Sequence, residues 1–372
     1  VSSWSSLAVV VALAATVGGP LARAVAAAPA VARADGASAD RSTVVTGAVG
    51  VRRCTFVDPT RDVLDFRTDP PTVLSHSRTL VTEIRYPTTS PGATGAELAD
   101  APVATSPTGY PMIVFAHGYD VTPDTYAPLL DAWARAGFVV VAPFFPDENR
   151  GEVEAQGTNT EGDLDNEPAD LAFVARAVLS ASKTKSPSCP LPAGLIRPNA
   201  IGFAGQSDGG TAVGTFSFAT GHDPQGLSYA ALRSEVHVEA TVVMSGSEDG
   251  VDGYAAPPGG ADLLEIQSAK DQCNPARAAL ELYRAIDEPN KFFLKLLTAH
   301  HLPPFDGQDP SAFALVVSVT TRYFRIALRG APLGRGFLAF GSTQLTVGTI
   351  SEGGSGPSMA GAPTTTTYCG LE

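Results

Sequence analysis

Seven short runs of the chain, residues 79–86, 112–116, 138–142, 200–204, 238–244, 263–268 and 292–297, are rich in Val, Ile, Leu and Phe, and several are apolar without a break. A short continuous apolar run suits a strand buried on both faces; a strand with one solvated face alternates instead. Between these runs lie longer segments, 126–136, 168–179, 209–219, 275–286 and 311–328, with apolar residues at helical spacing. Parallel neighbours in a sheet need a crossover of a dozen or so residues, and these segments are long enough to supply it. The alternation therefore predicts an α/β architecture, a mostly parallel central sheet flanked by helices. With 372 residues and 44% hydrophobic content the chain has ample material for one such core. No internal repeat and no second domain is apparent.

The flanks differ in character. Residues 1–34 read as a signal peptide: an apolar run at 7–17, then an Ala-rich stretch that ends Ala32-Arg33-Ala34 just before Asp35, although no Lys or Arg precedes the run. The apolar run is shorter than the roughly 20 residues of a membrane span, so secretion without stable membrane insertion is expected after cleavage. Residues 35–50 are expected to be a flexible segment, 51–350 the folded domain, and 351–372 a Gly/Ser/Thr-rich tail ending near Cys369. Lys and Arg number 25 against 38 Asp and Glu, a formal charge of -13, which argues against a nucleic-acid partner. A monomer is expected.

Cys54, Cys189, Cys273 and Cys369 form an even set, which in an exported chain implies two disulfides with three possible pairings. Cys189 precedes the run 200–204, whereas Cys273 follows the run 263–268. A strand of five or six residues is about 17–20 Å long, beyond disulfide reach, so Cys189 with Cys273 is the least favoured pairing.

The chemistry gathers at Ala200-Ile201-Gly202-Phe203-Ala204-Gly205-Gln206-Ser207-Asp208-Gly209-Gly210: an apolar strand, a Gly-x-Ser-x-Gly turn and a small-residue helix start. A nucleophilic serine must stand on a tight, strained turn, and glycines on either side remove the Cβ atoms that would block it. Such a turn also aims the helix N-terminus and the amide of Asp208 at the place where an oxyanion would form. A serine hydroxyl needs a base, and His300 and His301 stand just past the last strand-like run. A carboxylate must in turn orient the base. Asp271, at the end of the run 263–268, is favoured; Glu248, Asp249 and Asp252, after the run 238–244, are the alternative. The acidic stretch 161–167 lacks the spacing of a calcium loop and reads as a solvated loop capping the next helix. No Cys and His cluster has zinc spacing, so neither a metal nor an organic cofactor is expected. His76, His222 and His237 are scattered and read as ordinary structural or surface residues.

With these residues in place the chain resembles the secreted bacterial α/β-hydrolases related to platelet-activating factor acetylhydrolase, and more loosely the cutinase-like polyester hydrolases and dienelactone hydrolases. The resemblance runs from about Phe56 to Leu328. It rests on Phe56-Val57-Asp58-Pro59-Thr60-Arg61, Ser77-Arg78-Thr79-Leu80, Ile84-Arg85-Tyr86-Pro87, His117-Gly118-Tyr119, the turn at Ser207, Asp271-Gln272-Cys273-Asn274-Pro275 and His301-Leu302-Pro303-Pro304. It implies an α/β-hydrolase fold with Ser207 as nucleophile, His301 in preference to His300 as base, Asp271 as its partner, and the amides of Tyr119 and Asp208 as oxyanion donors. His117 precedes the serine, whereas this fold places its catalytic histidine last, so His117 is expected to be structural.

Gln206 and Asp208 replace the His and the Met or Ala common around such a serine, a departure that bears on substrate preference. A serine at this position also disfavours a dienelactone hydrolase that relies on cysteine. No long insertion reads as a lid, and residues 144–161 are the segment available to cover the site. The implied activity is hydrolysis of a carboxylic ester, small, lipid or polymeric, through an acyl-enzyme. A polyester or cutin-type hydrolase, peptidase or amidase action, and a surface-binding protein without turnover are the alternatives.

Overall fold

Met112, Val114 and Ala116 enter one hydrophobic core while Ile113 and Phe115 enter another, so a single apolar run serves two faces of a sheet. The computed structural model describes residues 47–156, 161–184, 186–223, 225–246, 253–287, 289–328 and 346–366. Among these the strands are Val49–Asp58 (β1), Val63–Asp65 (β2), Thr72–Ser75 (β3), Arg78–Pro87 (β4), Glu97–Ala99 (β5), Tyr110–Ala116 (β6), Val139–Pro143 (β7), Ile196–Gln206 (β8), Ala240–Met244 (β9), Asp262–Ser268 (β10), Lys291–Leu296 (β11) and Gly348–Glu352 (β12). The α-helices are Ala127–Arg135 (α1), Arg150–Gln156 (α2), Glu167–Thr184 (α3), Asp208–Phe218 (α4), Tyr229–Glu235 (α5), Ala276–Ala285 (α6), Pro303–Asp306 (α7) and Pro310–Ala327 (α8).

Ten of the strands form one sheet in the order β12-β11-β10-β9-β8-β6-β7-β4-β1-β5. The block from β11 to β7 is parallel throughout. Antiparallel pairings of β12 with β11, β4 with β7 and β1 with β4 extend it on both sides. One core packs α3, α4 and α6 on the sheet through Leu171, Val174, Val213, Phe216 and Tyr283. The opposite core packs α1 and α8 through Trp133, Val316, Tyr323 and Phe324. Trp133 Nε1 donates to Thr320 Oγ1 at 2.9 Å, which joins α1 to α8 without leaving the indole N–H unsatisfied. This mostly parallel sheet with helices on both faces is the α/β-hydrolase architecture.

All seven apolar runs are strands, but the sheet is wider than they indicate. β1 begins at Val49 and carries Arg52, Arg53 and Cys54, and β12 lies in Gly- and Ser-rich sequence that continues past residue 350. Beyond β12 the chain is held on α6 and β11: Arg284 donates to the Ser355 carbonyl at 3.0 Å and Lys295 to that of Ser358 at 2.7 Å.

The acidic stretch 161–167 is not the solvated loop its composition suggests. Asp163, Asn166 and Glu167 are fully buried. Arg78 of β4 supplies the compensating charge, within 2.6 Å of both Asp163 and Asp170. Arg61 joins the same group through Asp58 at 2.9 Å and through Asp170. Removing one partner of such a buried pair strands the other without its compensating charge.

Cys54 of β1 is joined to Cys189, both buried, across a separation of 135 residues. Cys273 is also disulfide-bonded, and Cys369 lies outside the described residues. Closing a loop of this length restricts the unfolded chain. Replacing Cys54 and Cys189 together by Ala should therefore lower stability by about 2–5 kcal/mol in reversible denaturant unfolding. An unchanged midpoint and slope would show that the bond contributes nothing to the folded chain.

Candidate active site

β8 ends at Gln206 and α4 begins at Asp208, so Ser207 alone makes the turn, with φ 57° and ψ −124°. A non-glycine residue held there costs about 1–3 kcal/mol and needs surroundings that over-determine it. The neighbours supply that constraint. A Cβ on Gly205 would overlap the Gly209 carbonyl, and one on Gly209 would overlap the carbonyl of Ala116 at the end of β6. The two glycines thus let α4 sit directly on the sheet. Ser207 N donates to Met244 O of β9 at 2.9 Å, and Thr211 N to Ser207 O at 3.0 Å as the helix begins.

His301 follows β11 and Asp271 follows β10, so adjacent parallel strands deliver both beside Ser207. His301 Nε2 lies 2.9 Å from Ser207 Oγ, and its Nδ1 lies 2.9 Å from Asp271 Oδ2. Asp271 is 1% exposed. Its Oδ1 accepts from the amides of Cys273 at 2.9 Å and Asn274 at 3.0 Å, and its Oδ2 also accepts from Gln267 Nε2 at 3.2 Å. A carboxylate so occupied receives the Nδ1–H of the imidazole and leaves the Nε2 lone pair facing the serine hydroxyl. His300 is exposed. Glu248, Asp249 and Asp252 lie outside the described residues.

His117 is fully buried, its ring against Phe145. Its Nε2 accepts from Phe145 N at 3.1 Å, so Nδ1 carries the proton and donates to Gly118 O at 2.8 Å. Burial lowers its pKa to about 4, which keeps it neutral. It therefore braces the loop, in accord with the expectation from sequence. Gly118 abuts the serine, since a Cβ there would stand 3.0 Å from Ser207 Cβ. Tyr119 is the next residue, half-buried, and Asp208 is buried at the first position of α4. The loop is held from the far side as well: Asp120 N donates to Glu148 O at 3.0 Å, and Arg150 of α2 donates to Asp120 O at 3.1 Å.

Asp271, Cys273 and His301 each bring one possible metal-ligand atom within 4.8 Å of the others. The sulfur of Cys273 is in a disulfide, and Asp271 is occupied by His301 and the amides around it. That donor set suits a hydrogen-bonded relay better than a cation.

Two features of the site carry no local signal in the sequence. One is a hydrogen-bonded chain through Tyr126 and Gln206: Tyr126 Oη donates to Gln206 Oε1 at 2.6 Å. The other is a pair of fully buried carboxyls, Glu148 and Glu167, next to each other and close to Asp208 and Asp163. Burial, reinforced by these negative neighbours, pushes both well above the ordinary glutamate range.

No protein-family model matches the sequence, and no curated protein matches it. Solved structures do match, 753 chains in all. Among them is a ferulic acid esterase from Streptomyces cinnamoneus, 17% identical, with a TM-score of 0.54 over 77% of this chain and 92% of that one.

The two buried glutamates generate a pH prediction. A carboxyl whose folded pKa is raised stabilises the fold fully below its unfolded value, and that contribution is lost as pH rises through the folded value. Glu167→Gln should therefore unfold at a higher temperature than the parent at alkaline pH, with the difference shrinking as pH falls into the ordinary glutamate range. Thermal unfolding of both proteins across that range checks it, and a gap that does not vary with pH would contradict it.

Proposed function

We propose that the protein is a secreted serine hydrolase of carboxylic esters, with Ser207 as nucleophile, His301 as general base and Asp271 as the group that orients the base. The observation that carries this reading is the continuous chain from Ser207 Oγ to His301 Nε2 and from His301 Nδ1 to Asp271 Oδ2, each step 2.9 Å, with the serine on a strained turn. The fold likeness to a protein described as a ferulic acid esterase supports the choice of an ester. The Cys54–Cys189 disulfide suits an oxidising compartment, and no helix of the described residues is long and apolar enough to cross a membrane.

In this mechanism Ser207 Oγ attacks the ester carbonyl carbon while its proton passes to His301 Nε2. The carbonyl oxygen becomes an oxyanion, received by the backbone amides of Tyr119 and Asp208 at the N-terminus of α4. Collapse of the adduct breaks the bond to the alcohol, which leaves with the proton from Nε2. Water then attacks the acyl carbonyl with its proton going to Nε2, and as the bond from the acyl carbon to Ser207 Oγ breaks that proton returns to Oγ and the acid departs. Asp271 orients the ring and steadies the imidazolium. No step needs a metal or an organic cofactor. The reading covers small, lipid and polymeric esters, including polyester or cutin-type substrates; amide cleavage and binding without turnover are its rivals.

The test is hydrolysis of p-nitrophenyl esters from acetyl to long-chain, together with a polyester film. Ser207→Ala should abolish turnover and Asp271→Asn should lower kcat by about 10⁴-fold, whereas His300→Ala should keep the parental rate. A Ser207→Ala protein that hydrolyses the acetyl ester at the parental rate sinks the reading. The chain length preferred by the parent, and the presence or absence of film erosion, selects among the ester classes.

A further inference from the structure

The residue before the nucleophile is a buried glutamine whose side-chain amide reaches both the base and the oxyanion loop. Gln206 is 1% exposed. Its Nε2 lies 3.4 Å from the backbone carbonyl of His301 and 3.3 Å from His301 Nε2, and its Oε1 lies 2.6 Å from the hydroxyl of Tyr126. A backbone carbonyl only accepts, so the amide nitrogen must face His301 and the amide oxygen must face Tyr126. Tyr126 must then donate to Gln206, which leaves its oxygen to accept from the Gly118 N–H at 3.3 Å. The direction of every bond in the chain is thereby settled.

Burial favours this arrangement. Tyr126 is fully buried and its phenol stays protonated, held far above its ordinary range by desolvation, so the donor persists at any pH the protein would meet. His301 Nε2 is closer to Ser207 Oγ, at 2.9 Å, than to the Gln206 amide. Once Nε2 is protonated it becomes a donor facing another donor, and the amide nitrogen then has only the His301 carbonyl to bond. The glutamine therefore anchors the backbone of the base and does not compete for the proton.

We propose, on the reading of Ser207, His301 and Asp271 as a catalytic set, that Gln206 is a positioning residue that works with Tyr126 to tie the His301 loop to the Gly118 loop, keeping base and oxyanion donors at one spacing around the serine. This places the unusual glutamine in the alignment of the machinery, where the sequence suggested substrate preference.

Three variants test it. Gln206→Glu keeps the shape and the acceptor for Tyr126 but sets an acceptor against the His301 carbonyl; Gln206→Met removes both polar atoms; Tyr126→Phe breaks the link to Gly118 with Gln206 intact. Each should lower kcat on p-nitrophenyl acetate by about 10- to 100-fold, the scale of a small misplacement of reacting groups. KM should change less than about twofold, and Gln206→Met combined with Tyr126→Phe should lose less than the product of the single losses.

A second readout does not depend on turnover. In protein carrying Ser207→Ala and ¹⁵N-labelled histidine, the Nδ1–H signal of His301, held by Asp271, should be sharp, and should broaden through solvent exchange in each of the three variants. Parental kcat with a parental Nδ1–H signal in the folded variants overturns the proposal. If the Gln206 variants fail to fold, Tyr126→Phe decides on the same two readouts. A broadened signal in a protein whose parent hydrolyses no ester leaves the positioning role standing and removes the catalytic reading instead.

Discussion

The site depends on one steric constraint: α4 must start directly against the ends of β6 and β8. Only a chain without side chains at Gly205 and Gly209 allows that approach, because a Cβ at either would fall on backbone that has nowhere to move. The approach forces Ser207 into its left-handed conformation. The Gly118 loop lies against the serine as well, since a Cβ on Gly118 would stand 3.0 Å from Ser207 Cβ. Parallel strand order then does the remaining work, since β10 and β11 deliver Asp271 and His301 to the sheet edge at which β8 ends. The strain at Ser207 is tolerable because its amide is bonded to β9 and its carbonyl to α4.

A second layer keeps this arrangement in place by means that hydrophobic burial alone would not supply. Arg78 and Arg61 draw Asp163, Asp170 and Asp58 into the interior and so fasten the antiparallel strands β1 and β4 to the start of α3. The Cys54–Cys189 bond fastens β1 to the connection between α3 and β8. Strands β1 and β4 and the start of α3 are thus held through both charge and covalent links. Glu148 and Glu167 are fully buried close to Asp208, where burial and their negative neighbours hold both well above the ordinary glutamate range.

The parts of the fold that could be read in the sequence are those where one physical rule acts alone. Strands β6 to β11 are buried on both faces and read as apolar runs; the turn at Ser207 shows its glycines because sterics permit nothing else. β1 was hidden because its Arg52 and Arg53 interrupt the pattern, and β12 because Gly348 and Ser351 read as tail. The stretch 161–167 looked solvated because its partner Arg78 lies 85 residues away from Asp163. Ser207, Asp271 and the His300-His301 pair stand out from strand ends and chain order, and the preference for His301 comes from the resemblance alone. Tyr126 and Gln206 do not stand out, since a tyrosine leading into an amphipathic helix looks like core until its hydroxyl is seen to meet an amide 80 residues on.

On the proposed function, Ser207 is a serine made nucleophilic by His301. Peptide mapping by mass spectrometry after treatment with a fluorophosphonate measures this directly, because the reagent adds covalently to a serine oxygen that a base has made nucleophilic. One phosphonylated peptide, the one that contains Ser207, is expected, with the adduct lost in His301→Ala. Absence of any adduct on the folded protein, or an adduct on another serine with Ser207 unmodified, would contradict the proposed function.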